Sequence, residues 1–285
     1  MNGVVSRNSR YVSLTLYAIA WVVVVAPLAA LIFHTSPRAI SRAIRQPNGF
    51  SPIEVSLLAS LIALALIVSL GTPLAYGLAR HKVPFSGIIR FTLQVSVLLP
   101  PLVVGLLLVY LLGPYSFLGH LISQIHLSAT NTFLAVVIAE LYESIPYYLL
   151  GAEAGFRSVD PSLEQAAGLL GDSPRQVLYR ITIPLASPQL ASSLAFAWAR
   201  SLGAFGAVIV VAYNPHNLPM QIYLSLQDQG LAQSFAYAML FILVALPVPL
   251  IAYSWSARRL KFLGDFDSRG GTQLGTDWGF RRILW

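Results

Sequence analysis

Three ionisable residues interrupt long apolar runs of this sequence. Glu140 and Glu143 lie three residues apart in the run 132–151, and Arg200 lies in the run 190–212. A charged side chain at the centre of a bilayer costs roughly 2.5–3.5 kcal/mol on insertion scales unless it is paired or hydrated. Glu140 and Glu143 share a helix face, so they either line a solute pathway or include a partner for Arg200. We expect Arg200 to pair with one of the two.

The sequence carries no arrangement typical of catalysis or phosphate binding. It has no G-x-x-x-x-G-K-[ST] loop and no G-x-S-x-G nucleophile motif. It has no cysteine, and its five histidines are scattered at the ends of apolar runs and in loops, without the spacing of metal ligands. We therefore predict that the chain is not an enzyme, binds no metal or cofactor, and does not itself hydrolyse ATP.

The elements that hold these residues are six apolar runs of about 20 residues, the length that crosses a ~30 Å hydrocarbon core. Hydrophobic residues make up 56% of the chain and charged residues 10%, and the mean hydropathy is +0.69. The predicted spans are 11–33, 55–79, 91–112, 132–151, 190–212 and 235–255. The predicted fold class is an all-α membrane protein, a polytopic bundle of six transmembrane helices.

Basic residues predict the orientation of the bundle. With the N-terminus in the cytoplasm, 14 of the 18 Lys and Arg residues flank the cytoplasmic side, and only Arg38, Arg42 and Arg45 fall outside. This bias is typical of membrane proteins and accounts for the net charge of +7 without nucleic-acid binding. We expect both termini to be cytoplasmic, residues 1–263 to form the membrane domain, and 264–285 to form a cytoplasmic tail. Trp278, Phe280, Arg281, Arg282 and Trp285 end that tail, either at the membrane surface or in disorder.

The cytoplasmic loop 157–187 has the pattern of two short, capped helices. Asp160 is a helix N-cap before Pro161, and Leu163, Ala166, Ala167 and Leu170 fall on one apolar face. Gly171 suits a left-handed helix end, Ser173 and Gln176 form a capping box, and Pro184 is expected to stop the second helix.

This loop resembles the "EAA" coupling loop of ATP-binding-cassette importer permeases, E-A-A-x3-G-x9-I-x-L-P. Gln165, Ala166, Ala167, Gly171, Ile181, Ile183 and Pro184 occupy its positions. Gln165 replaces the acid, and Ile183 replaces the leucine. Glutamine keeps the length and hydrogen-bonding capacity of the acid but has no charge with which to form an ion pair to an ATPase. Glu164 carries a carboxylate next door, but a one-residue shift turns it about 100° around the helix.

Other segments resemble the molybdate, tungstate and sulfate branch of these permeases, over roughly residues 55–250. The similar segments are F-x-S-V-D-P at 156–161, L-P-P-x-x-x-G at 99–105 and A-R-S-L-G-A-F-G-A at 199–207. Ala212, Tyr213, Pro215, Ile222, Tyr223 and Gly230 are similar to archaeal-type tungstate and molybdate permeases in particular. Ala204 stands where the branch usually has Glu, which removes a carboxylate from the fifth span.

The resemblance implies a permease in the plasma membrane that pairs with a second permease, in a homodimer. Two separate ATPase subunits, which carry ATP and Mg²⁺, would dock on the loops, and an external binding protein would deliver the solute. The implied solute is molybdate or tungstate, with sulfate next, and Gln94, Ser96 and Ser201 are pathway candidates together with Glu140, Glu143 and Arg200.

Two alternatives remain at the level of the sequence. Carboxylates exposed to the pathway would repel an oxyanion, so a permease for another solute such as a polyamine stays open. A stand-alone secondary transporter would need intramembrane ion sites, for which Glu140 and Glu143 are the only candidates, and inverted repeats, which we do not find.

Overall fold

A computed structural model describes residues 7–45, 51–125 and 127–270 of the chain. Within these ranges, side chains are described between residues 14 and 258. The described part is helical. The first half contains α1 (Arg7–His34), α2 (Pro37–Arg45), α3 (Ser51–Leu66), a first π segment (Ile67–Gly71), α4 (Thr72–Ala79), α5 (Ser86–Leu98), α6 (Pro101–Leu112) and α7 (Phe117–Gln124). The second half contains α8 (Phe133–Arg157), α9 (Pro161–Leu169), α10 (Pro174–Val177), a second π segment (Leu178–Thr182), α11 (Ile183–Leu202), α12 (Gly206–Val211), α13 (Leu218–Gln229), α14 (Leu231–Ala245) and α15 (Pro247–Gly270).

Four helical stretches among the described residues are long and apolar enough to cross a membrane. They are Leu14–His34, Ser51–Ala79, Phe133–Arg157 and Leu231–Arg258. The pair Ser86–Leu98 and Pro101–Leu112 makes a fifth if its two bent halves count as one span. The structure therefore confirms a polytopic helical membrane protein with four or five such spans, and does not confirm the count of six.

The predicted span 91–112 is not one continuous helix. The chain turns by 117° between α5 and α6, and Leu99 and Pro100 are extended, with ψ angles of 129° and 137°. Each proline disfavours helical conformation in the residue before it and has no N–H to donate to the preceding turn, so Pro100 and Pro101 end the helix together.

The predicted span 190–212 is interrupted as well. α11 ends at Leu202, and α12 begins at Gly206 after a short break at Gly203, Ala204 and Phe205. This break packs against the bend between α5 and α6. A Cβ atom on Gly206 would lie 2.7 Å from Cβ of Pro101, and one on Gly105 would lie 2.8 Å from the Ala207 carbonyl oxygen. The two interrupted spans approach this closely only because both positions lack a side chain.

The centre of the bundle is the pair α8 and α11. Gly151 and Gly155 lie four residues apart on α8, where added Cβ atoms would come within 2.6 Å of Ser193 and 2.8 Å of Gln189 on α11. Small residues at this spacing let two membrane helices pack backbone to backbone. The interior around this pair is filled by α3, α4, α6 and α12. Most large side chains of α1 from Leu14 onward are exposed.

α15 runs from Pro247 to Gly270, so the first residues of the predicted tail 264–285 continue this helix. The aromatic and basic residues Trp278, Phe280, Arg281, Arg282 and Trp285 lie outside the described residues.

Candidate functional site

The loop 157–187 folds into the two predicted short helices. Asp160 caps α9, accepting a hydrogen bond from the backbone N–H of Ser162 at 2.8 Å, and this bond holds the pKa of Asp160 below its ordinary value. Gly171 has φ of +99°, and the N–H groups of Gly171 and Asp172 bond to the carbonyls of Gly168 and Ala167. These two hydrogen bonds form a Schellman motif, which needs a left-handed residue at position 171.

The second short helix begins as predicted and ends differently. Ser173 and Gln176 form the reciprocal capping box. Pro184 does not stop the helix, because the second π segment carries the chain directly from α10 into α11. Ile183 donates to the Leu178 carbonyl five residues back, and Pro184 becomes the second residue of α11, where its missing donor is tolerated.

The predicted apolar face of α9 is mostly uncovered in the isolated chain. Among its four residues only Ala167 is buried, whereas Leu163, Ala166 and Leu170 are exposed. Leu169 and Leu170, at the end of the helix, are 91% and 89% exposed. Gln165 is exposed as well. The outer side of α9 thus presents apolar side chains and one amide away from the bundle.

Glu164 faces the opposite way and anchors α9 to the bundle. Its carboxylate forms a bidentate ion pair with Arg80, which follows α4, with the shortest N–O distance 2.6 Å. It also accepts a 2.7 Å hydrogen bond from Thr182 in the second π segment. Burial alone would raise the pKa of Glu164, but the bonds from Arg80 and Thr182 outweigh it and hold the pKa below its ordinary value.

A second cluster joins neighbouring helices on the same side of the bundle. Glu153 of α8 pairs with Arg90 of α5 at 2.7 Å and with Arg157 at 2.8 Å. Arg90 also donates to the carbonyl of Leu78 near the end of α4. Sequence reasoning treated Arg80, Arg90 and Arg157 only as flanking charges, since nothing in their spacing along the chain indicates which acids they meet.

Arg200 forms the predicted pair with one of the two intramembrane carboxylates. Its Nη2 lies 2.8 Å from Oε2 of Glu143, whose side chain is 1% exposed, while the Arg200 side chain is 27% exposed. The guanidinium also lies over the ring of Tyr147, with Cζ 5.9 Å from its centroid. Neither carboxylate faces lipid, because Glu140 and Glu143 are both buried.

Glu140 is held by hydroxyl groups of two other helices. Its Oε2 accepts hydrogen bonds from Ser60 of α3 at 2.7 Å and from Ser201 of α11 at 3.0 Å. The structure therefore brings Glu140 and Ser201 together, in a group that also includes Ser60. Ser60 was not predicted, because a lone serine in an apolar run carries no sequence signal.

Gln94 and Ser96 lie apart from these groups. Gln94 is exposed on α5, and the hydroxyl of Ser96 donates to the Thr92 carbonyl of its own helix at 2.9 Å. Within the described part of the chain, no cluster of three or more His, Cys, Asp or Glu side chains is arranged to hold a metal ion.

Comparison with known proteins assigns the family. Residues 71–262 match the family described as "Binding-protein-dependent transport system inner membrane component". The chain belongs to this family. It is a permease of the ATP-binding-cassette importer type, as the resemblance of its coupling loop indicated.

Individual relatives agree with this family. The chain is 32% identical over 228 residues to a probable molybdenum ABC transporter permease protein of Haloferax volcanii, covering 80% of this chain and 83% of the relative. It is 32% identical over 239 residues to a molybdenum transport system permease protein of Mycobacterium bovis, covering 81% and 90%. A crystal structure of a bacterial alginate ABC transporter shares the fold, with a TM-score of 0.67 and 18% identity over 95% of this chain and 97% of that one.

Proposed function

We propose that this permease carries a tetrahedral oxyanion, molybdate or tungstate and with less preference sulfate, and that α9 docks on a separate ATPase subunit. The proposal that α9 docks on an ATPase rests on the uncovered face of this helix. Leu163, Ala166, Leu169 and Leu170 are exposed on a capped helix that is itself anchored to the bundle. Exposed apolar side chains grouped in this way are typical of a protein–protein contact.

Support for an oxyanion comes from the relatives and from the buried charges. The relatives in Haloferax volcanii and Mycobacterium bovis are described as molybdenum permeases. Glu143 is neutralised by Arg200, and Glu140 is enclosed by Ser60 and Ser201. Because both carboxylates are turned into the bundle, neither presents an exposed negative charge that would repel an anion.

The proposed assembly is a homodimer of permeases with two ATPase subunits, which bind ATP and Mg²⁺, and an external binding protein. We propose six spans in each permease, with the bent pair α5–α6 as the third and α11 with α12 as the fifth. Both termini and the loop 157–187 lie in the cytoplasm, in agreement with the positive-inside bias. ATP-driven closure of the ATPases would then move α9 and switch the pathway between two states.

The test is uptake by the permease reconstituted with its partner ATPase and its external binding protein. We expect ATP-dependent uptake of radiolabelled molybdate and tungstate, weaker uptake of sulfate, and none of a polyamine. Polyamine uptake alone would overturn the substrate but keep the permease, and uptake that needs no ATPase subunit would favour a secondary transporter. The matched control is the same complex with ADP in place of ATP.

A further inference from the structure

Glu164 joins three elements of the structure at one carboxylate. It lies on α9, it pairs with Arg80 at the end of α4, and it accepts from Thr182 in the second π segment. The ion pair is well shielded, with 14% of the Glu164 side chain and 10% of the Arg80 side chain exposed. A charge-assisted bidentate contact of this kind fixes orientation as well as distance.

Arg80 extends the connection into the body of the permease. Its Nη2 donates to the Val159 carbonyl at 3.1 Å, just after α8, as well as to Glu164. Arg80 follows α4 directly, so a displacement of α9 reaches α4 through two side chains and without a flexible loop. The ion pair between Asp172 and Arg180 lies within the loop, and the Arg180 side chain is 67% exposed.

The structure offers a pivot at the other end of α4. The first π segment, Ile67–Gly71, separates α4 from α3 within one continuous span. π segments inside helices often mark functional sites, since the wider turn weakens the regular hydrogen-bond ladder. Gly71 lets this segment pack tightly on α8, because a Cβ atom there would lie 3.2 Å from Leu149 and 3.3 Å from Tyr148.

We propose that Glu164 is a positioning residue that makes α9 and α4 one rigid unit, so that movement of α9 tilts α4 about the first π segment. This inference rests on the proposed function of α9 as the ATPase-docking helix. It divides the loop into two faces: the exposed face receives the ATPase, and Glu164 on the inner face passes the movement to the second span. The exposed side chain of Gln165 belongs to the first face, and the ion pair of Glu164 with Arg80 lies on the second.

The first experiment measures solute transported per ATP hydrolysed in the reconstituted complete complex. Glu164→Gln keeps an acceptor for Thr182 but removes the ion pair with Arg80, and we expect the ratio to fall about fivefold or more, the lower range of ordinary coupling between sites. The matched control is Asp172→Asn, an acid-to-amide change in the same loop, which we expect to leave the ratio unchanged. An unchanged ratio in Glu164→Gln, or an equal fall in both variants, would overturn the inference.

The second experiment follows the movement itself by electron–electron spin distances. Because the chain contains no cysteine, two spin-label pairs can be made by introducing cysteines. One pair joins Leu58 on α3 to Lys82 beyond α4, and the other joins Leu58 to Ser162 on α9. Between nucleotide-free and ATP-bound complexes, we expect both Lys82–Leu58 and Ser162–Leu58 distances to change in the otherwise unaltered protein. In Glu164→Gln only the Ser162–Leu58 distance should change.

A general loss of stability would affect both distances alike. A change in the Ser162–Leu58 distance without a change in the Lys82–Leu58 distance therefore shows that α9 is no longer linked to α4, and not that the protein is poorly folded. A Lys82–Leu58 distance that stays constant between the two states, or that changes equally in Glu164→Gln, would overturn the inference. If the unaltered complex shows no ATP-driven uptake of any solute, the proposed function fails as well. ATP-driven uptake that persists with full coupling in Glu164→Gln removes only the role of Glu164.

Discussion

The guanidinium of Arg200 and the carboxylate of Glu143 meet at 2.8 Å and join α11 to α8 inside the bundle. Each charge makes the other tolerable, because an unpaired ion at this depth would lose its hydration without compensation. Glu140 lies one turn earlier on α8 yet reaches different partners, the hydroxyls of Ser60 and Ser201. Two carboxylates on one helix face thus have different partners: Glu143 pairs with a guanidinium, and Glu140 accepts hydrogen bonds from two hydroxyls.

Glu143→Gln should destabilise the permease, because it leaves the Arg200 guanidinium without its counter-charge. Breaking one partner of a buried pair typically costs about 3–5 kcal/mol, and the partial exposure of Arg200 places the expected cost at the lower end. Thermal unfolding of the purified permease in detergent measures the change. The double variant Glu143→Gln/Arg200→Gln should recover part of the loss, and a double variant less stable than either single one would contradict the pairing.

Gly171→Val should strain the turn between the two loop helices. The φ of +99° at Gly171 is unfavourable for a β-branched residue, at a cost of about 1–2 kcal/mol. A Cβ atom there would meet nothing within 4 Å, so the effect comes from the backbone and not from a clash. We expect weaker binding of the ATPase subunit, measured by co-purification, and slower ATP-dependent uptake.

Gly168→Ala is the control for that turn. Its added Cβ atom also meets nothing within 4 Å, but Gly168 lies within α9. Alanine favours the helix by up to about 1 kcal/mol over glycine, so this variant should match or exceed the unaltered protein in thermal stability. A Gly168→Ala protein as unstable as Gly171→Val would show that the turn conformation is not the cause.

Gly105→Val should separate α6 from α12. The added side chain would begin 2.8 Å from the Ala207 carbonyl oxygen and from Cβ of Val210, where the backbone must shift. Overpacking of this kind costs about 1–3 kcal/mol, visible as a lower unfolding temperature. Gly87→Val is the comparison, since a Cβ atom at Gly87 meets nothing within 4 Å. Equal losses in the two variants would show that helix propensity, and not the close approach, is responsible.

The contribution of Glu164 to stability should depend on pH in a defined direction. Its folded-state pKa lies below the ordinary value of 4.5, so its contribution is fully present above pH 4.5 and is lost as pH falls through the folded-state pKa. The groups that face it are the cations Arg80 and Lys82 and the hydroxyls of Thr182 and Tyr76. We expect the difference in unfolding temperature between the unaltered protein and Glu164→Gln to be constant from pH 7 to about 5 and to shrink below that. A difference that grows on acidification would contradict this sign.

The amino-acid sequence by itself determined the class of protein and the local design of the loop 157–187. Asp160, Gly171 and the Ser173–Gln176 pair act on backbone groups within a few residues, so their effects can be predicted from spacing alone. The pairing of Arg200 also followed from the sequence, because the cost of an isolated ion in lipid leaves few alternatives. The choice of Glu143 over Glu140 did not, since both lie on the same helix face.

The tertiary structure alone decided the relationships between distant segments. The bend at Leu99–Pro100 and the break at Gly203–Phe205 look like ordinary interruptions of two apolar runs, and only their mutual packing through Gly105 and Gly206 explains both. In the same way, Glu164 and Gln165 are adjacent acceptors in the sequence. Their different roles depend on the rotation of α9 about its axis, which places Arg80 and Thr182 on one side and solvent on the other. That rotation is set by the packing of Ala167 and Glu164 against the bundle, contacts between residues far apart in the chain that no local pattern specifies.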